Sequence, residues 1–445
     1  MKNTKDYISQ VTENNSIDSE MFGKYNVKRG LRNSDGTGVL VGLTRIGDVH
    51  GYIMDEGEKV AVDGKLYYRG FDVEALVSSA EKEGRFGFEE AIYLLLFGKL
   101  PDKGQLDDFS ALIGKCRELP PNFAEDAIMR APSRDIMNKL ARSVLTLYSY
   151  DKSPDDCSPE NVLRQCIELI ARFPTIAAYA YMAKEHYFNH ESLFIHLPEP
   201  TCSTAEALLS LIRPDKKYTR YEAELLDLAL VLHAEHGGGN NSTFAVHLVS
   251  SADTDTYSAI AAGIGSLKGS KHGGANSKVI GMMEDIKKNV KQWESEEEVA
   301  AYLGKILQGE AYDRTGLIYG QGHAVYTITD PRTILLRDKA QALAEEKGII
   351  KEYNLYRLIE RITPEVFKKY KGPNRDICTN VDFYSGFVYG MLGIPPDLFT
   401  PIFAVSRIAG WCAHRLEEVI AGGKIIRPAY KCVQPRLDYI SMEKR

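Results

Sequence analysis

Apolar residues recur at helical spacing through most of the chain. FEEAIYLLLFGKLP, Phe88 to Pro101, is a helix pattern that stops at Gly98 and Pro101, residues that end helices. Further helices are predicted over 105–118, 134–150, 159–173, 175–189, 203–213 and 220–236, then over 256–269, 277–290, 295–308, 335–346 and 352–370. The last long one begins at Thr400-Pro401, where threonine can cap and proline suits the first turn, and it stops at Gly422-Gly423. Val49 to Gly70 behaves differently: it alternates, and Asp63-Gly64 within it is a hairpin signal. The opening stretch, to about residue 40, is polar and mixed, read as a helix and a flexible approach. With no fixed-period repeat and no βαβ alternation, the expected fold is mainly α with a small N-terminal β-hairpin.

Composition narrows this only by exclusion. The chain has 445 residues, enough for two domains or one large one. A net charge of −6 gives no basic excess for nucleic acid. The longest apolar run, Ala91 to Phe97, is far too short to span a bilayer, so no membrane partner is expected. The first residues, MKNTKDYISQVTENNS, lack the apolar core of a signal peptide. The seven cysteines contain no CxxC pair, which suits reduced thiols and a cytoplasmic location.

Chemistry gathers in four islands where helices should break. In LHAEHGGGNNSTF, His233 and His236 stand three apart with Glu235 between them, a spacing that could hold a metal. Yet HAEH is not the HExxH of zinc peptidases, and the HxE of zinc deaminases needs a CxxC that is missing. No metal is therefore expected, and His233 reads as a core histidine. In LKGSKHGGAN, His272 precedes a helix, whose positive end disfavours imidazolium; a neutral histidine can hydrogen-bond an enolate without acting as an acid. In YGQGHAVYTITDPR, Gly320 and Gly322 leave room beside His323, and Arg332 follows a stiff Asp330-Pro331, as suits a guanidinium that grips a carboxylate. No GK[ST] is present, so this is not a phosphate loop. In TNVDFYSG, Asp382 stands among apolar and aromatic residues. It reads equally as a desolvated base of raised pKa or as the N-cap of a short helix at 385–392. Arg407 lies within the C-terminal helix beside Phe403, Ile408, Trp411 and Cys412, company in which an arginine either snorkels or pairs with a negative ligand. Histidines, one carboxylate and several arginines suit enolisation of one substrate and clamping of a second that bears carboxylates.

Taken in order and spacing, HAEHGGGNNST, GSKHGGAN, GQGHAVYTITDPR, TNVDFYSG, SRIAGW and RPAY resemble the citrate synthase family, as do GYIMDEG, GKLYYRG and FEEAIYLLLFGKLP. The likeness runs from about residue 40 to about 430. It implies a two-domain helical homodimer: a large domain of 1–276 and 391–445, and a small one of 277–390 that closes over substrate on the CoA side. It implies condensation of acetyl-CoA with oxaloacetate and hydrolysis of citryl-CoA, with CoA a co-substrate and no cofactor. Asp382 would take the methyl proton, His272 would stabilise the enol and His323 would polarise the ketone. His236, Arg332 and Arg407 would hold oxaloacetate, and Arg427 would reach the partner's site. Leu317, Ile318, Gly320, Gly322, Ala324 and Asn380 would lie along CoA.

Two departures stand out. Relatives carry a basic residue soon after GHAV, but here the run is Tyr326-Thr327-Ile328, so Lys268 and Lys271 become the candidates for the CoA phosphates. Lys371 and Arg375 stand in a lengthened segment that could line the CoA entrance. The rival activities are 2-methylcitrate synthesis from propionyl-CoA, zinc hydrolysis at His233, Glu235 and His236, and a silent scaffold.

Overall fold

The computed structural model describes residues 8–33, 35–372 and 376–444. Arg375 lies outside them. The fold is mainly α, as expected, with one small antiparallel sheet: β1 (Gly47–Asp55), β2 (Glu58–Tyr68) and the short β3 (Phe71–Asp72), in that order. No described helix is long and apolar enough to cross a membrane.

The hairpin turns at Glu56-Gly57, not at Asp63-Gly64. Asp55 pairs with Glu58, and both turn residues have positive φ, 47° and 89°, as the tight turns that match strand twist demand. Gly64 lies inside β2 for another reason. A Cβ there would strike the Thr329 carbonyl and come 2.7 Å from the Tyr326 ring. The glycine marks a close approach of the 326–329 segment to the strand.

Several helices differ from the pattern. Pro159–Asn189 is one helix of 31 residues although Pro174 lies within it. A proline there deletes one backbone hydrogen bond and costs roughly 3 kcal/mol. The unbroken buried run Phe173–Ala180 on both sides of it supplies the packing that offsets that cost. The helices Val73–Lys82 and Asn241–Ser250 escape the periodicity argument. The second is short and follows a run of Gly and Asn, the composition of a loop.

By packing, the chain forms two units. One comprises Met1–Leu100, Thr219–Asn240 and Gly274–Phe399; the other comprises Pro101–Tyr218, Asn241–Gly273 and Thr400–Arg445. The stretch 277–390 lies wholly in the first unit, and with it go the sheet and the Arg220–His233 helix, both placed by sequence in the large domain. The close approach of Gly64 to Thr329 is one contact that groups them. In the second unit the Phe399–Ala421 helix is buried along most of its length. Gly263 makes room for it: a Cβ there would lie 2.8 Å from Val246 and 3.2 Å from the Trp411 ring.

Candidate active site

The first unit holds His236, His323, Arg332 and Asp382. The helix Arg220–His233 ends just before the first of them. Tyr68 donates its hydroxyl to the Val231 carbonyl at 2.8 Å, and the Glu235 carboxylate accepts the Gly237 N–H at 2.5 Å. Gly237, at φ 80°, makes the exit turn. Glu235 is thus a structural residue that closes the helix end. His233 is wholly buried, while His236 packs edge-on against His323, ring centroids 5.1 Å apart.

His323 declares its tautomer. Its Nδ1 accepts the N–H groups of Val325 at 3.1 Å and Tyr326 at 3.0 Å. A nitrogen that accepts cannot carry the proton, so the neutral ring holds it on Nε2, free to donate. Burial, helped by the Arg332 charge, pushes the pKa down to about 4. The ring stacks on Tyr326 at 4.6 Å.

Arg332 sits in the first turn of the Pro331–Glu346 helix, which Asp330 caps. Its Nε and Nη2 donate to the two oxygens of the Asp330 carboxylate at 3.0 and 2.7 Å, in a pair almost wholly buried. The two-pronged grip expected for substrate is therefore made on Asp330. That orients the guanidinium, and Nη1 is the side outside this pair.

Asp382 is not an N-cap. The helix runs Val381–Met391, four residues earlier than the sequence suggests, and Asn380 caps it by accepting the Asp382 N–H at 3.1 Å. Asp382 thus stands in the first turn, where the helix dipole favours an anion. The carboxylate is half-buried, and its charge raises the pKa of both Arg332 and Tyr389. Asn380 also donates Nδ2–H to the Gly322 carbonyl at 2.9 Å, and its backbone N–H to Gly320 at 2.9 Å. It braces the histidine loop against the helix of the carboxylate. Gly320 has φ 78°, and a Cβ there would lie 2.8 Å from Phe383.

The second unit holds His272 and Arg407. His272 lies in a tight turn just before Gly274, its Nε2 3.1 Å from Ser242 Oγ. The Trp411 indole donates to the same oxygen at 3.1 Å. Burial, then the Arg407 charge, lowers the His272 pKa to about 4. The ring is neutral as expected, with burial and a nearby cation as the causes rather than a helix end. Arg407 is wholly buried, its guanidinium 4.7 Å over the Phe403 ring one turn earlier.

The remaining candidates scatter. Leu317 and Ala324 are exposed and Ile318 is buried. Lys271 is exposed, and Lys268 pairs with Asp135 at 3.1 Å. Arg427 is exposed on an irregular stretch, pinned where the Ile426 N–H donates to Ser251 Oγ at 3.1 Å. Sequence reasoning missed Asp330, Ser242 and Trp411. All three stand inside quoted motifs, DPR, NNST and SRIAGW, where their neighbours drew the attention. His233, Glu235 and His236 do not gather as a metal-ligand set among the described residues. The zinc-hydrolase reading fails there, because Glu235 turns to Gly237 and His236 to His323.

Comparison with known proteins decides the family. The model for "Citrate synthase, C-terminal domain" matches residues 35–429. The chain belongs to the citrate synthase family. It is accordingly an enzyme of the acyltransferase type. It is 34% identical to citrate synthase of Haloferax volcanii over 432 residues, covering 94% of this chain and 99% of that one. It is also 30% identical to 2-methylcitrate synthase of Shewanella oneidensis over 380 residues, 85% of this chain and 92% of that one. Among solved structures it resembles the citrate synthase of Thermoplasma acidophilum, described as a ternary complex with carboxymethyl coenzyme A and oxaloacetate. The TM-score is 0.77 at 27% identity, over 94% of this chain and 99% of that one. The mainly helical architecture read from the chain is the architecture of this family.

Proposed function

We propose that the chain condenses acetyl-CoA with oxaloacetate and hydrolyses the citryl-CoA so formed to citrate and CoA. The observation that carries this reading is the pair of histidines held neutral, His272 and His323, each with a pKa pushed down to about 4. Neutral imidazoles donate hydrogen bonds to developing oxyanions without giving up a full proton beforehand, which is what enolisation of a thioester and attack on a ketone both need.

Each residue has a task. Asp382 removes a proton from the acetyl methyl. His272 donates to the thioester oxygen as it becomes an enol oxygen. The enol carbon attacks the oxaloacetate ketone, whose oxygen receives the Nε2–H of His323. Water then cleaves the thioester and CoA leaves as the thiol. Arg407, Arg332 through Nη1, and His236 hold the two carboxylates. Arg427 enters the partner's site in a homodimer, a reading supported by the exposed apolar residues along its segment, Ile425, Tyr430 and Leu437. The 317–324 loop runs along CoA with Asn380 behind it, and Lys268 and Lys271 meet its phosphates. No cofactor enters this scheme.

Exchange of the acetyl-CoA methyl protons, with citrate formation, tests it: wild type should do both and Asp382→Ala neither. The S. oneidensis relative supports a second reading, with propionyl-CoA as donor. One methylene is worth about 1–3 kcal/mol of discrimination, so kcat/KM with each acyl-CoA decides. A higher value for propionyl-CoA would replace the first reading by the second.

A further inference from the structure

The second unit carries a cluster that the reaction does not use. His247 stands in the last turn of the Asn241–Ser250 helix. His414 and Glu417, three apart and so on one face, belong to Phe399–Ala421. We propose that His247, His414 and Glu417 form a binding site for a divalent ion of the zinc class, held by two imidazole nitrogens and one carboxylate oxygen.

The geometry points to an ion rather than to a hydrogen-bonded chain alone. One ligand atom from each residue lies within 4.8 Å of the others. His247 Nε2 and His414 Nδ1 are 2.9 Å apart, and His414 Nδ1 and Glu417 Oε2 are 3.8 Å apart. Ligands at about 2.0–2.2 Å from a tetrahedral ion stand roughly 3.3–3.6 Å from one another, and the observed separations bracket that edge. The 3.8 Å separation is too long for a direct hydrogen bond and suits a metal between the two atoms.

The surroundings are those of a ligating histidine. His247 Nδ1 lies 2.9 Å from Glu418 Oε2. A carboxylate on the far nitrogen fixes the proton there and turns the Nε2 lone pair inward, the usual outer support of a metal-bound imidazole. Arg415, next along the helix, turns away and donates to the Thr254 carbonyl at 2.6 Å. His414 is fully enclosed, while His247, Glu417 and Glu418 keep 13, 18 and 18% of their side chains exposed, a path for the ion. The fourth position is left to water.

Such an ion would clamp two helices rather than catalyse. The Asn241–Ser250 helix carries Ser242, beside His272, and Phe399–Ala421 carries Trp411 and Arg407. The proposal does not depend on the reaction assigned above.

The test uses the full chain, stripped with chelator and titrated with Co²⁺ and then Zn²⁺. Expected are one equivalent of Co²⁺ per chain with the visible absorption of a four-coordinate ion, displacement by Zn²⁺, and a higher melting temperature with Zn²⁺ present. His247→Gln and Glu417→Gln should each weaken binding at least tenfold, and Glu418→Gln about 10–100-fold, with circular dichroism confirming the fold. Should His247→Gln fail to fold, the more exposed Glu417→Gln supplies the reading. Folded, stripped wild type that takes up neither ion at micromolar concentration overturns the proposal. So does binding that survives both ligand substitutions, as capture by the surface histidines His186 and His190 would.

Discussion

The indole N–H of Trp411 donates to Ser242 Oγ at 3.1 Å, and that same oxygen stands 3.1 Å from His272 Nε2. An indole can only donate, so it occupies one lone pair of the serine. The serine is thereby biased to give its own proton to Nε2, which leaves the His272 proton on Nδ1 for the thioester oxygen. Trp411→Phe should lower kcat about 3–10-fold, the worth of one net hydrogen bond, and slow methyl-proton exchange equally, with the KM for oxaloacetate little changed. Equal exchange rates in the variant and the wild type would remove Trp411 from the catalytic argument.

Asp382→Asn keeps the size of the side chain and its place in the first turn of the Val381–Met391 helix, but removes the base. A loss of about 10³-fold or more in kcat is expected, at the middle of the 10²–10⁴ range for acid–base groups. Oxaloacetate binding, followed by calorimetry, should change little.

The histidines also set the response to acid. His272 and His323 have folded pKa values near 4 against 6.5 when unfolded. Between those values the unfolded chain binds more protons, so these two groups make stability fall as the pH drops from about 6.5 towards 4. Above that window they add no pH dependence. Thermal melts at pH 7.5, 6.5, 5.5 and 4.5, about a unit apart, should show the decline only at the lower values, and His323→Gln should shrink it.

Gly64→Ala should destabilise the fold without touching a reacting group, because its Cβ runs into the Thr329 carbonyl. Overpacking of this kind costs about 1–3 kcal/mol. Urea melts would reveal it as a lower midpoint at unchanged m-value.

If Arg427 serves the partner's site, two dead variants should rescue one another. Arg427→Ala and Asp382→Asn chains, unfolded together and reassembled at random, would give half mixed dimers with one complete site each. About a quarter of wild-type activity should return. No recovery on mixing, with dimers verified by sedimentation, would put Arg427 to work within its own chain.

How far the chain could be read depended on range. Helices with strong periodicity came out close to their true bounds, because burial of one face is a local pattern. His236 falls in one unit with His323, Arg332 and Asp382, although the sequence placed it in the large domain with His272 and Arg407, which lie in the other unit. Where expectation failed, the cause was a partner that the apolar pattern does not show, whether far along the chain or two places away. Gly64 looks like a turn residue until Thr329 is seen against it. Pro174 looks like a stop until its buried neighbours are counted. Asp382 looks like a cap for a helix starting at 385, but the helix starts at Val381 and Asn380, two places before Asp382, caps it. Arg332 looks free to grip a ligand, although Asp330, in the same motif, already holds two of its nitrogens.

The two units also bear on how the protein is made. The chain passes from one to the other at Leu100, Tyr218, Asn240, Gly273 and Phe399, so each is assembled from three separate stretches. On the ribosome the first unit lacks its final piece until residue 399 has emerged, and the second still waits for the buried helix that follows. Apolar faces such as that of the Pro159–Asn189 helix are therefore on view through much of translation. Sequence-distant contacts of this kind slow folding and expose nascent chains to aggregation. Yield in the cell should thus respond to chaperone supply and growth temperature more steeply than the equilibrium stability of the finished enzyme would suggest.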